Sequence, residues 1–516
     1  MSSLTSFFES DFNTQREQWE NALKSELKLT EVGNKATKKL ITGASWPTLS
    51  LETKSEVHLN ANENWKKAST TYVHLDQHEI EKVLTEDLGQ GVRNFFFSGP
   101  DLNETKWKII ESTLTKFASP KELEVFILGG NYSSNAFKVV SNIISGQKAH
   151  DQGGHSIQEL ALLATNFIKN LGTQSEVYLG VYVDSQFFHN IAKIRAAKLL
   201  AHKILEESGK KMKLNIVGLT SMREWTLFER YSNMLRNETA VASAYIGGAD
   251  HVQSAGYNSL IELEVDGAPD MEHVERSRRM ARNTSHVLAL ESMLGVVEDA
   301  AFGSYHLESL TSALAEEAWK LMQTMIVMND SELHSYLEKE TATVREKRLE
   351  MVKTRRHVMS GMNDFPDVKE HLKLKLKKPT VFRVARIFED LRLGMENVKQ
   401  KPSVYVALFG EYGALNARLN FVKNYFELLG LTVNEPGHSE LDIENFKKTL
   451  SERKEDIIVL CALDDQYPTI SDTVSSVKAQ HKYIAGKFEM AGFNNLFAGQ
   501  NVYEVLQNLA SKFEGR

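Results

Sequence analysis

The chain has 516 residues but only one cysteine and nine prolines, and it has no excess of basic side chains. The single thiol, Cys461, excludes an internal disulfide framework and fits a reducing compartment. It lies in the apolar run Ile457–Leu463, where a buried inert thiol is a simpler reading than a nucleophile. No stretch approaches the roughly 18 uninterrupted apolar residues of a membrane span. The opening residues lack the charged start and long apolar core of a secretory signal. A cytoplasmic protein with no membrane partner is expected. The formal net charge of −7 argues against a nucleic-acid partner, which a basic patch would announce. There is no Walker loop, no HExxH, no GxSxG and no CxxC. The pairs Gly129-Gly130 and Gly247-Gly248 read as strand-end turns, and Asp250-His251 as a structural pair after an apolar strand. The 16 histidines show no metal-ligand spacing, so no metal site is expected.

What is present is an ordinary globular composition, 42% apolar and 25% charged, able to bury a sizeable core. Four segments follow from the patterning. Residues 1–79 are polar with one good helix: Thr14-Gln-Arg-Glu17 forms a capping box, and Trp19, Leu23 and Leu27 share one face. That face packs on its own chain or embraces another subunit. Over 80–366 strand-like runs (Asn94–Ser98, Leu123–Leu128, Val177–Val183, Leu214–Leu219, Ala242–Ile246) alternate with amphipathic runs (Ile157–Leu171, Phe188–Leu205, Arg223–Arg236). Alternation over this length predicts a (β/α)8 barrel rather than a doubly wound sheet. Leu307–Met328 and Asp330–Thr354 read as long helices. Residues 367–401 form a linker, in which His371–Pro379 alternates strictly and is expected to be extended, its lysines solvated. From 402 to 516 a second α/β unit begins with the strand Ser403–Leu408, a turn over Gly410–Asn416 and a helix over Ala417–Leu429. Further strands at Thr432, Ile457–Ala462 and Tyr483–Ala485 and a last helix, Val502–Lys512, give an open parallel, flavodoxin-like sheet.

Several longer strings go further. They are Gly154-His-Ser-Ile-Gln-Glu-Leu-Ala161, Ile191-Ala-Lys-Ile-Arg-Ala-Ala197, Ala281-Arg-Asn-Thr284, Gly303-Ser-Tyr305 with Glu308-Ser-Leu-Thr311 and Ala318-Trp319, Gly361-Met-Asn-Asp-Phe-Pro366 and Phe388-Glu-Asp-Leu-Arg392. In their order and spacing they resemble the methylmalonyl-CoA mutase family, and the resemblance runs from about residue 80 to the end. It implies a TIM barrel that threads coenzyme A along its axis, followed by a Rossmann-like domain of the B12-binding type. The implied reaction is the carbon-skeleton rearrangement of methylmalonyl-CoA to succinyl-CoA on adenosylcobalamin, with the protein supplying orientation and a dry cavity.

The resemblance also says what is missing. In catalytic members the first loop of the last domain reads Asp-x-His-x-x-Gly; the histidine ligates cobalt, the aspartate orients it and the glycine makes room for the nucleotide tail. Aligned on Gly410 and Gly413, those positions hold Tyr412, Ala414 and Ala417. An alanine has no lone pair for cobalt, and the nearest histidine, His438, falls after the next strand. The family's Ser-x-Leu appears as Cys461-Ala-Leu463, and its later Gly-Gly pair as Ala485-Gly-Lys487, where the lysine is expected to intrude. In the barrel, the histidine that donates to the thioester carbonyl aligns with Leu219, or with Val217 in a gap-free count; neither can donate. No histidine lies within Leu205–Asp250, and the family's catalytic tyrosine segment has no match near Leu51–Thr71. Arg282, Asn283 and Tyr305 are expected to pack rather than to touch substrate, and Phe95, Phe97, Tyr178 and Tyr182 to fill the axis.

These losses together imply a small, non-catalytic subunit of a heterodimer. It would bind no cofactor itself, and adenosylcobalamin would sit in a catalytic large subunit as its partner. Two alternatives stand beside this: a stand-alone relative that senses acyl-CoA or acts as a chaperone, and a catalytic B12 mutase with an unusual ligand set.

Overall fold

A computed structural model of the protein describes residues 79–98, 102–265, 268–269, 271–294, 296–297, 299–372, 374–376, 381–472 and 477–513, with short stretches at 17–18, 21–22, 24–25, 37–39, 45–47 and 69–72. The N-terminal helix face of Trp19, Leu23 and Leu27 lies outside the described residues.

Two four-stranded parallel sheets make up the first unit. The first runs β1 (Ser69–Tyr72), β2 (Asn94–Ser98), β3 (Glu124–Leu128) and β4 (Lys138–Val140) in sequence order. The second runs β5 (Ile143–Ser145), β6 (Glu176–Val183), β7 (Lys213–Thr220) and β8 (His251–Val252). Only Ser141 and Asn142 separate β4 from β5, so one strand path changes sheets there. Helices lie between the strands: α1 (Ile80–Gly89), α2 (Glu104–Thr115), the short α3 (Gln147–Asp151), α4 (Ser156–Lys169), α5 (Phe187–Ser208) and α6 (Ser232–Ile246), with α7 (Met271–His286) after β8. The long α8 (Tyr305–Met325) packs on α4 and α5, and α9 (Asp330–Lys353) follows.

The strand faces are the instructive part. In β2, Phe95 and Phe97 pack outward on Ile80, Leu84, Trp107 and Ile110, whereas Phe96 points inward. The expectation that Phe95 and Phe97 fill the axis is therefore corrected by one residue. Side chains alternate across a strand, and a run of three phenylalanines gives no contrast between its two faces. Two further expectations are corrected. Ala242–Ile246 is the end of α6 rather than a strand, because its alanine-rich apolar run propagates helix. The helix expected over Arg223–Arg236 starts only at Ser232. Ahead of it the chain is held in turns by Asn233, whose Nδ2 donates to Thr226 O at 2.8 Å and whose Oδ1 accepts from Thr226 N at 3.0 Å.

Several of the family-like strings have a structural task. Arg195 on α5 is fully buried between Asp299 and Glu308, each at 2.8 Å. Arg282 on α7 pairs with buried Asp87 on α1. Buried pairs of this kind add little net stability over apolar packing, but removing one partner strands the other charge. Asn363 closes the turn after α9: its Oδ1 accepts from Met359 N at 2.7 Å, and its Nδ2 donates to His357 O at 2.8 Å.

Residues 367–401 contain the strand Leu374–Leu376, antiparallel to Ile261–Val265, and α10 (Arg386–Glu396). The C-terminal unit is a five-stranded parallel sheet. Its strands are β9 (Val404–Leu408), β10 (Val433–Asn434), β11 (Ile457–Cys461), β12 (His481–Ala485) and β13 (Asn494–Leu496), in the order β10-β9-β11-β12-β13. That is the 2-1-3-4-5 order of flavodoxin-like sheets, with the reversal between β9 and β11. Helices α11 (Tyr412–Glu427) and α13 (Val502–Ala510) cover one face and α12 (Ile443–Glu452) the other. The α11 core continues into Trp225, Leu227, Phe228, Met359, Met362 and Phe388, so the two units share apolar packing. Cys461 is buried, as expected.

Candidate functional site

Chemistry in such a chain would sit at one of two places: the interior enclosed by the two sheets with its C-terminal mouth, or the crevice at the strand reversal of the last unit.

The interior is filled. Phe96, Phe126, Val140, Tyr178, Val217 and Leu219 form one buried cluster, with Leu128, Ile143 and Tyr182 packed against it. Phe96 and Phe126 stack at 4.5 Å, and Tyr178 meets Phe126 edge-on at 6.0 Å. Near the N-terminal ends, Lys138 Nζ lies 2.8 Å from Glu176 and 3.7 Å from Glu124. Burial pulls the Lys138 ammonium down, but Glu176 and Tyr178 outweigh it and hold it above its usual value. His251 sits in the same interior, 3.6 Å from Glu124 and over the Phe126 ring. Leu219 is level with Tyr182 on the neighbouring strand and leaves no slack: a Cβ on Gly180 would meet its Cδ1 at 2.9 Å.

Above Leu219, at the C-terminal ends of β6 and β7, is a buried polar cluster that sequence reasoning did not assemble. His150 from α3 stacks on Tyr182 at 4.1 Å. Its Nε2 is 2.9 Å from Ser221 Oγ, and Arg223 donates to its Nδ1 at 2.9 Å and to its carbonyl at 2.7 Å. An Nδ1 that accepts leaves the proton on Nε2, where it is directed at Ser221. Glu159 from α4 lies 3.4 Å from His150 Nδ1 and 3.0 Å from Lys193 Nζ, and it accepts from Tyr182 N at 2.8 Å. Burial, then the Arg223 charge, pushes His150 down to about 3. Burial alone would raise Glu159, but the Lys193 charge and the Tyr182 amide hold it well below the usual carboxylate range. A histidine thus reaches the neighbourhood of Leu219 from elsewhere in the chain. It is neutral, and both ring nitrogens are engaged, so it has no proton to offer a carbonyl. The missed signal lay in the strings themselves: Glu159 and Lys193 stand in two of them.

In the last unit, Gly410 takes φ +119 and its amide donates to Glu440 O at 2.9 Å. The turn expected over Gly410–Asn416 is shorter, because α11 already begins at Tyr412. Tyr412, Ala414 and Ala417 therefore lie on the exposed first turns of a helix. His438 is nearer than its sequence position suggests, since Glu440 bridges to Phe409, but its ring is exposed and lies 3.5 Å from Glu440. Lys487 does not intrude; it is exposed and lies over the Phe497 ring at 5.0 Å. Other side chains hold the strand ends. Arg418 donates to Ala462 O at 2.7 Å and Ala485 O at 2.9 Å and pairs with Asp464 at 2.8 Å. The Tyr467 hydroxyl donates to Ala485 O at 2.7 Å.

A family profile described as methylmalonyl-CoA mutase matches residues 130–392, just over half of the chain. The chain is similar to the methylmalonyl-CoA mutase small subunit of Porphyromonas gingivalis, 29% identical over 382 residues, which is 66% of this chain and 58% of that protein. It is also similar to the small subunit of Streptomyces virginiae, 29% identical over 397 residues, 69% of this chain and 62% of that one. A methylmalonyl-CoA mutase of Cereibacter sphaeroides matches at 28% over 263 residues, 46% of this chain and 35% of that protein. The chain thus spans about three-fifths of the length of the small subunits it matches. Among the described residues no helix is long and apolar enough to cross a membrane.

Proposed function

Because the chain belongs to the methylmalonyl-CoA mutase family, we propose that it is a non-catalytic small subunit of an adenosylcobalamin-dependent methylmalonyl-CoA mutase. It assembles in the cytoplasm with a catalytic large subunit, which carries the cofactor and converts methylmalonyl-CoA to succinyl-CoA. On this reading the two parallel sheets are the family's TIM barrel, and the last unit is a degenerate cobalamin-type domain.

The observation that carries the reading is the filled interior. Where a catalytic relative would thread coenzyme A, this chain places Phe96, Phe126, Tyr178, Val217 and Leu219. The mouth above them is closed by His150, Glu159, Lys193 and Arg223. The residues at the last unit's loop do not suit a cobalamin either. Ala414 and Ala417 offer no donor atom, and Tyr412 occupies the place of the orienting carboxylate. No catalytic step is therefore assigned to this chain.

A surface for a partner is available. Between α7 and α8 the chain exposes Val287, Leu290, Met293, Val296, Val297 and Phe302. The buried Arg195–Asp299 pair anchors the segment from beneath, and Met293 takes φ +52. A concentration of exposed apolar side chains on a fixed, strained backbone is what an interface uses. Co-expression with a catalytic large chain tests the proposal. The expected result is a stoichiometric complex that turns over methylmalonyl-CoA; two chains that elute separately would overturn it.

A further inference from the structure

In an open parallel sheet, ligands enter over the carboxyl ends of the strands where the order reverses. Here those ends carry the loops after Leu408, Cys461 and Ala485, and side chains crowd all three. Gln466 accepts from Leu463 N at 3.0 Å and lies so close to Gly410 that a Cβ there would meet its Oε1 at 2.5 Å. Arg418 reaches from the second turn of α11 across the ends of β11 and β12, beside the reversal, donating to Ala462 O just past β11 and to Ala485 O at the end of β12. Asp464 holds the guanidinium from the other side. Gly486, at φ +143, is pressed under the same group: a Cβ would stand 3.0 Å from Asp464 Oδ1 and 3.2 Å from Arg418 NH1.

We infer that Arg418 is the side chain that holds this crevice shut, so that the domain excludes a ligand by occupancy and not only by lacking a ligating histidine. The carbonyls it takes belong to Ala462 and Ala485, which lie in the two stretches that depart from the family pattern. A histidine restored at position 414 would stand on the exposed face of α11 while the crevice below stayed filled. The latch does not depend on ordinary pH, because burial is outweighed by Asp464 and the guanidinium is held above its usual value. The inference rests on the proposed function only in taking this crevice as the family's cofactor end.

The chain supplies its own reporter. Cys461 is the sole cysteine, it ends β11, and it is buried in the core that includes Leu415 and Leu419 of α11. Burial pushes its thiol up to about 12, with the Arg418 charge acting against that rise. The full chain is treated with a small neutral maleimide under native conditions, comparing the unmodified protein with Arg418→Ala, Arg418→Lys and Lys423→Ala. Lys423 shares the helix and pairs with Glu435 at 2.9 Å, so its loss controls for a loosened α11. Labelling of Arg418→Ala is expected to rise about tenfold or more, as a local opening made one log unit easier requires. Arg418→Lys should fall between, and Lys423→Ala should match the unmodified chain. An unchanged rate in Arg418→Ala, or an equal rise in Lys423→Ala, overturns the inference. If Arg418→Ala does not fold, Ala414→His with hydroxocobalamin decides. The crevice being shut, no corrin should stay with that variant through gel filtration, and one retained equivalent overturns the latch. Failure of the proposed function would look different: the unmodified chain would itself retain corrin.

Discussion

The interior of the parallel sheets is closed by apolar rings contributed by several strands, whereas the crevice of the C-terminal unit is closed by a few polar side chains gripping strand-end carbonyls. The first kind of filling is part of the fold's stability and is spread over many residues. The second is local and hangs on one guanidinium. A single substitution should therefore damage the first region without opening it, and open the second without much damage.

The largest effect is expected in the interior. Phe126 is fully buried, stacks on Phe96 and touches Tyr178 and His251. Phe126→Ala should destabilise the chain by about 3–5 kcal/mol, read from urea unfolding; a loss under about 1 kcal/mol would mean the interior is loosely packed. Trp225→Ala should cost a similar amount, about 3–5 kcal/mol, and should also separate the unfolding of the two units, since Trp225 lies in their shared core. One coincident transition in that variant would contradict the shared-core description.

Glu159→Gln comes next. It leaves Lys193 buried without its carboxylate and should cost about 3 kcal/mol, measured by the same titration. A Glu159→Gln/Lys193→Met pair that recovers most of the loss would show the penalty to be the stranded charge.

The mouth should also make stability depend on pH. His150 is held down at about 3, and two histidines beside it, His155 capping α4 and His189 at 2.7 Å from Ser156 Oγ, at about 4, each chiefly by burial. Unfolded, these rings take up a proton near 6.5. The unfolded state therefore binds more protons below that value. The stability they contribute is complete above about pH 6.5 and is lost as pH falls toward 4. Each such histidine steepens the loss by up to about 1.4 kcal/mol per pH unit. His150→Gln should flatten the fall in melting temperature between pH 6.5 and 5; an identical slope would mean that the ring is not buried neutral.

The smallest effect on stability is expected at the surface. Val297→Asp should change unfolding by less than about 0.5 kcal/mol while weakening association with a catalytic large chain. Unaltered association would move the interface elsewhere.

The sequence made the strands Asn94–Ser98 and Val177–Val183 legible because β-branched and aromatic residues crowd between turn signals. It also made β9, β11 and the final helix legible. It could not say which phenylalanine of β2 faces inward, because all three look alike. It could not foresee α11 starting at Tyr412, since two glycines suggested a longer turn. Leu219 and the loop positions Tyr412, Ala414 and Ala417 were singled out only by resemblance to a family pattern. His150, Arg223 and Arg418 were not. They belong to the site through contacts with segments tens of residues away, and such contacts leave no local periodicity.

The most direct measurement is on the chain alone. Incubated with adenosylcobalamin and passed through gel filtration, it should elute without a corrin spectrum and should not convert methylmalonyl-CoA. One equivalent of retained cobalamin, or turnover without a partner, would contradict the account.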